Sequence, residues 1–126
     1  MRIALIAHDS EKPEMIGSVT DHEGILAAHD LIATGTTGSR LNEGTGLEVT
    51  PLASGPLGGD LMIGSAVAND ACDAAFSFRD PMTAQPHEPD VSALLRICDV
   101  HGIPLATNRA SAAALLAGLS DDGGSP

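Results

Sequence analysis

The sequence predicts an α/β fold, a three-layer α/β/α sandwich on a five-stranded parallel sheet. Two patterns predict it. Short apolar runs without alternation, clearest at Arg2 to Ala7, Leu31 to Thr34 and Ala74 to Phe78, have the composition of strands buried on both faces. Segments with apolar residues at three- and four-residue spacing alternate with those runs, as βαβ units require. A third observation concerns placement. Polar and titratable residues follow the runs at once, at the carboxyl edge where α/β sheets hold their ligands.

Arg2 to Ala7 gives the first strand and His8, Asp9 and Ser10 its edge. From Lys12 to about Ala28 the spacing of Met15, Ile16, Val19, Ile25 and Leu26 predicts a helix, with Gly17 and Gly24 weakening its ends. Leu31 to Thr34 is a second strand, followed by Gly35, Thr36, Thr37 and Gly38 and a short helix around Arg40 to Glu43. Leu47 to Thr50 reads as a weak third strand. It leads into a glycine-rich loop from Pro51, in which Asp60 stands where the apolar pattern resumes. Met62, Ile63, Ala66 and Val67 then mark a helix ending near Ala68. Ala74 to Phe78 is the fourth strand, and its Phe76 and Phe78 read as core. Prolines 81, 86 and 89 fix an irregular connection, and Pro89 suits the first turn of a helix that turns Val91, Leu94, Leu95 and Cys98 inward. His101 and Gly102 end that helix. Leu105 to Thr107 is the fifth strand and Arg109 to Leu119 the last helix. One domain over residues 1–119 and a disordered tail over 120–126 are expected.

The net charge of −11 speaks against a nucleic-acid partner, which needs a basic face. No apolar run is long enough to span a bilayer, and the chain opens without a signal core, so the cytoplasm is expected and no membrane contact. Cys72 and Cys98 fall in apolar segments without a second thiol at metal-ligand spacing and read as buried free thiols. Only six basic residues exist. Lys12, the sole lysine, lies with Arg40, Arg79 and Arg96 in or beside the polar edge stretches, as an anionic ligand would require.

Strand, glycine and hydroxyl turn, then helix: residues 31–43 aim backbone N–H groups and the positive end of a helix dipole at one spot, the makings of a phosphate site. The same stretch also reads as an ordinary capping turn. The loop from Pro51 to Met62 reads as an active-site loop, or as a surface turn whose Asp60 caps the next helix. Lys12 reads equally as a solvated first-turn residue, and Asp9 with Arg96 as an ion pair supporting the site.

Taken together, Ile3 to Asp9 with Lys12, Ala33 to Gly38, Ser54 to Asp60, Arg79 to Pro81, and Pro86 to Val91 with Ala93 to Arg96 resemble the methylglyoxal synthase family. These lyases convert dihydroxyacetone phosphate to methylglyoxal and inorganic phosphate. The resemblance implies that Asp60 is the catalytic base and that His87 hydrogen-bonds the carbonyl and hydroxyl oxygens of the substrate. It implies further that His8, Lys12, Thr34, Gly35, Thr36, Thr37, Ser54 and Gly55 bind substrate, with Asp9, Asp80 and Asp90 in support. No metal or organic cofactor, inhibition by inorganic phosphate and a homohexamer are implied as well. Leu61 and Met62 depart from the family resembled, which usually carries glutamine at both positions. The same fold also serves as a regulatory domain, so a non-catalytic module sensing a phosphorylated metabolite is the alternative reading. A third, a metal-dependent phosphatase, would need clustered carboxylates, whereas Asp9, Asp80 and Asp90 are dispersed among strands.

Overall fold

A computed structural model describes residues 1–53, 58–82 and 88–124; the side chains of residues 60, 88–91 and 120–124 lie outside the description. Five parallel strands, β1 (Arg2–Ala7), β2 (Asp30–Ala33), β3 (Val49–Pro51), β4 (Ala74–Phe78) and β5 (Leu105–Ala106), pair in the order β3-β2-β1-β4-β5. The central strand is the first, and Leu5 stands level with Ala33 on one side and Phe76 on the other.

Strand periodicity sorts the apolar residues into two cores. Ile3, Leu5, Leu31, Ala33, Val49, Phe76 and Phe78 meet Met15, Val19, Leu26, Leu41, Ala112 and Leu116 on one face of the sheet. Those partners come from α1 (Lys12–Asp21), α2 (Glu23–Leu26), α3 (Gly35–Gly44) and α6 (Arg109–Gly124). Ala4, Ile6, Ile32 and Ala75 point the other way, against Ile63 and Val67 of α4 (Gly59–Ala68) and Leu94 and Cys98 of α5 (Glu88–His101). The expected three layers are these. Both cysteines are free and buried, and no helix among the described residues is long and apolar enough to cross a membrane.

Three elements differ from expectation. The helix expected from Lys12 to Ala28 breaks at His22, whose backbone leaves the helical region at φ −124° and ψ 24°. The Gly-Thr-Thr-Gly stretch is not a turn ahead of a helix; it is the first turn of α3 itself. The last helix runs past Leu119 to Gly124, so helical backbone continues into the segment read as a tail.

The chain winds outward from β1 through β2 to β3, then returns to the other side of β1 for β4 and β5. That reversal puts the switch point of the sheet at β1 and β4, and the carboxyl ends of strands at such a point are where open α/β sheets hold their ligands. The amide of His8 donates to the Phe78 carbonyl at 2.9 Å, tying those two ends together.

Candidate active site

Ala7 ends β1, and its carbonyl gathers the site. Lys12 Nζ and Thr37 Oγ1 each donate to it at 3.4 Å, and Thr34 Oγ1 donates to Thr37 Oγ1 at 3.4 Å. Lys12, Thr34 and Thr37 are 6%, 4% and 2% exposed. Residues singled out separately in the sequence therefore meet around one backbone oxygen. Nothing in the sequence pointed to that oxygen, because a backbone carbonyl has no letter; only its position at a strand's last residue marks it.

The first turn of α3 supplies the donors. Gly38 N–H bonds the Thr34 carbonyl at 2.8 Å, and Gly35 N–H bonds the Ala53 carbonyl at 3.2 Å. The Thr34 side chain does not cap the helix. Among the described residues the N–H groups of Thr36 and Thr37 are thus left pointing out of the helix start, where an anion is favoured. Thr36 is exposed and Gly35 partly so.

Lys12 Nζ also donates to Asp9 Oδ1 at 2.5 Å, from a side chain 7% exposed to one that is 97% exposed. An ammonium has three N–H donors, and Ala7 and Asp9 use two of them. The Lys12 hydrogen bond and charge hold the Asp9 carboxyl below the usual carboxylate range, helped by the charges of Arg40 and His8. The expected pairing of Asp9 with Arg96 is corrected here: Asp9 lies three residues before Lys12, within reach of it, whereas Arg96 is exposed on α5 in the opposite layer. His8 is 6% exposed. Asp80 Oδ1 accepts the Met82 amide at 2.9 Å, which shapes the turn after β4.

Gly58, at φ 98°, caps α4 in the left-handed region that glycine adopts freely, and Gly59 and Asp60 open the helix. Asp60 and Asp90 are placed by backbone alone, in the first turns of α4 and α5. Ser54, Gly55 and His87 lie outside the described residues. Among the described residues no three His, Cys, Asp or Glu side chains gather as metal ligands would.

Helix start, buried lysine and hydroxyls on one carboxyl edge give an α/β domain the donors that an anion such as phosphate requires. A family model described as an MGS-like domain matches residues 14–107. A methylglyoxal synthase of Acholeplasma laidlawii is 63% identical over 112 residues, 89% of this chain and 92% of its own. One from Moorella thermoacetica is 56% identical over 124 residues, 98% of this chain and 97% of its own. The crystal structure of methylglyoxal synthase from Elizabethkingia anophelis superposes with a TM-score of 0.86 at 47% identity, over 91% of this chain and 76% of that one. This chain belongs to the methylglyoxal synthase family.

Proposed function

We propose that this chain converts dihydroxyacetone phosphate to methylglyoxal and inorganic phosphate. The observation that carries the reading is the buried grouping of Lys12, Thr34 and Thr37 at the start of α3, in a chain 63% identical to a methylglyoxal synthase.

The reaction removes a proton from the hydroxymethyl carbon beside the ketone, leaves an enediolate, and expels phosphate with the electrons of its C–O bond. The enol that remains tautomerises to methylglyoxal. In this reading Asp60 takes the proton and His87 donates to the oxyanion. A carboxylate is a weak base, with an ordinary pKa near 4, so a preorganised donor to the oxyanion is needed, worth roughly 3 kcal/mol in comparable sites. Lys12, the Thr36 and Thr37 amides, and Ser54 and Gly55 hold the departing phosphate, with His8, Thr34 and Gly35 completing the grip and Asp9, Asp80 and Asp90 supporting it. Departure is fast when the bond to phosphate stands perpendicular to the enediolate plane, where it overlaps the π system. A bound enediolate analogue with that bond in the plane would contradict this account.

Inorganic phosphate carries the same charge pattern as the leaving group and is proposed as an inhibitor competing at Lys12 and the α3 start. A homo-oligomer, a hexamer on the family resemblance, is proposed too. Its support is a groove of about 770 Å³ lined in part by Ile32, Leu52, Ala66 and the exposed Met62. Light scattering on the purified chain checks that assembly. The cytoplasm is the proposed compartment, tested by cell fractionation.

The deciding experiment incubates the wild type and Asp60→Asn with dihydroxyacetone phosphate in the presence of chelator, and quantifies methylglyoxal and phosphate together. Equal amounts of both products from the wild type, and a loss of several orders of magnitude in the variant, are expected. A wild type that binds the substrate and releases neither product would make the chain a sensor instead.

A further inference from the structure

We propose that Gly59 is a positioning residue for this reaction, holding the backbone of Asp60 against the phosphate-gripping turn; the inference rests on the reading of Asp60 as the base. A methyl group at Gly59 would overlap the Ala53 carbonyl oxygen and stand 2.9 Å from Thr34 Cγ2. Neither neighbour can move away freely. The Ala53 carbonyl accepts the Gly35 N–H at 3.2 Å, and the Leu52 N–H before it is held by the Ala33 carbonyl at 2.7 Å. Thr34 is 4% exposed, and its hydroxyl donates to Thr37.

The neighbouring glycines show that this demand is particular to one position. Gly58 needs a left-handed backbone at φ 98°, but a side chain there would meet nothing within 4 Å. Gly64, in the same helix, also has open space around it. Gly59 lies outside the positive-φ glycines, so its backbone admits other residues and only space excludes them. Gly58 lets the chain turn, whereas Gly59 lets it touch.

What it touches is the joint between two working parts. The Ala53 carbonyl bonds the first turn of α3 on one side and abuts the first turn of α4 on the other. One substrate must be deprotonated from α4 and lose its phosphate at α3, so the spacing of those two turns sets whether both can act on it. A displacement of about 1 Å in such a site costs on the order of 100-fold in rate.

The test compares kcat, KM and thermal midpoint for the wild type, Gly59→Ala, Gly64→Ala, Asp60→Asn and the double variant Gly59→Ala with Asp60→Asn. Gly59→Ala is expected to lower kcat on the order of 100-fold with a much smaller change in KM. Gly64→Ala keeps wild-type kcat. Removing the Asp60 carboxylate should cost far less in the Gly59→Ala background than in the wild type, because a base already out of place has little left to lose. A Gly59→Ala enzyme with wild-type kcat, or an Asp60→Asn loss of equal size in both backgrounds, overturns the inference. Should Gly59→Ala not fold, Thr34→Ser decides: it removes the methyl against Gly59 and keeps the hydroxyl, so a lowered kcat at near-constant KM supports the contact and an unchanged kcat overturns it. A wild-type activity indifferent to Asp60→Asn sinks the reading of Asp60 and this inference together. An inactive Asp60→Asn beside a fully active Gly59→Ala sinks the inference alone.

Discussion

Lys12 is a cation that solvent barely reaches, 6% exposed, with one N–H beyond those given to Ala7 and Asp9. Hydrogen bonds to charged groups contribute about 1.5–3 kcal/mol, so Lys12→Met is expected to raise KM and weaken inorganic phosphate roughly 10- to 100-fold, read by steady-state kinetics and calorimetric titration. An unchanged phosphate affinity would remove Lys12 from the grip. Being the only lysine made it legible in the sequence; the atom that orients it did not, since Ala7 contributes only a carbonyl. Cys98 is a second residue with a defined response. Burial pushes its thiol up to about 11 from an ordinary 9.0, with Cys72 and Asp99 adding to the rise. The folded state therefore holds this proton more tightly than the unfolded chain. Its stabilising contribution is complete below pH 9 and is lost as pH climbs from 9 towards 11. Thermal midpoints should fall across that window, and fall less in Cys98→Ala; parallel declines in both proteins would assign the alkaline loss to other groups.

At the scale of elements, helix ends carry the most local information. After α5, Gly102 at φ 67° donates to the Asp99 carbonyl and Ile103 to the Cys98 carbonyl at 2.9 Å, the paired bonds of a Schellman ending. After α4 the same pair recurs, from Asp70 to Val67 and from Ala71 to Ala66, but the left-handed residue is Asp70 at φ 58°. A side chain there costs what glycine avoids. Asp70→Gly is expected to stabilise the chain by about 0.5–1 kcal/mol, measured by urea unfolding; a destabilised variant would mean that the Asp70 carboxylate does more than turn the chain. Gly102 announced its helix end in the sequence; the end of α4 at Ala68 followed from the apolar spacing that stops at Val67, while nothing marked Asp70 as the left-handed residue that turns the chain there. The strands were legible because burial on both faces leaves unbroken apolar runs, as in Ile3 to Ala7. The break at His22 was not, because apolar spacing continues through it to Ile25 and Leu26. The start of α3 was misplaced because its first turn contains two glycines and two threonines, poor helix formers that tertiary contacts such as Gly38 against Pro51 hold in place.

At the scale of the whole molecule, the acidic balance of −11 leaves few cations, so their positions could be read in the sequence. Lys12 and Arg40 do reach the edge that the strand pattern predicted, whereas Arg96 does not support Asp9, because sequence position says nothing of which layer a helix joins. The strand order has a further consequence, for the order in which the protein is made. The middle strand leaves the ribosome before every partner it will have, and one flank waits for residues 74–78. Until then an apolar strand keeps a bare edge, the kind of surface on which nascent chains stick to one another. A fragment stopping before Ala74 should therefore sediment, and one carried past Phe78 should do so far less, when the two are synthesised side by side in a chaperone-free translation mix. Equal sedimentation of both would show that the open flank of β1 is covered by other means while the chain grows.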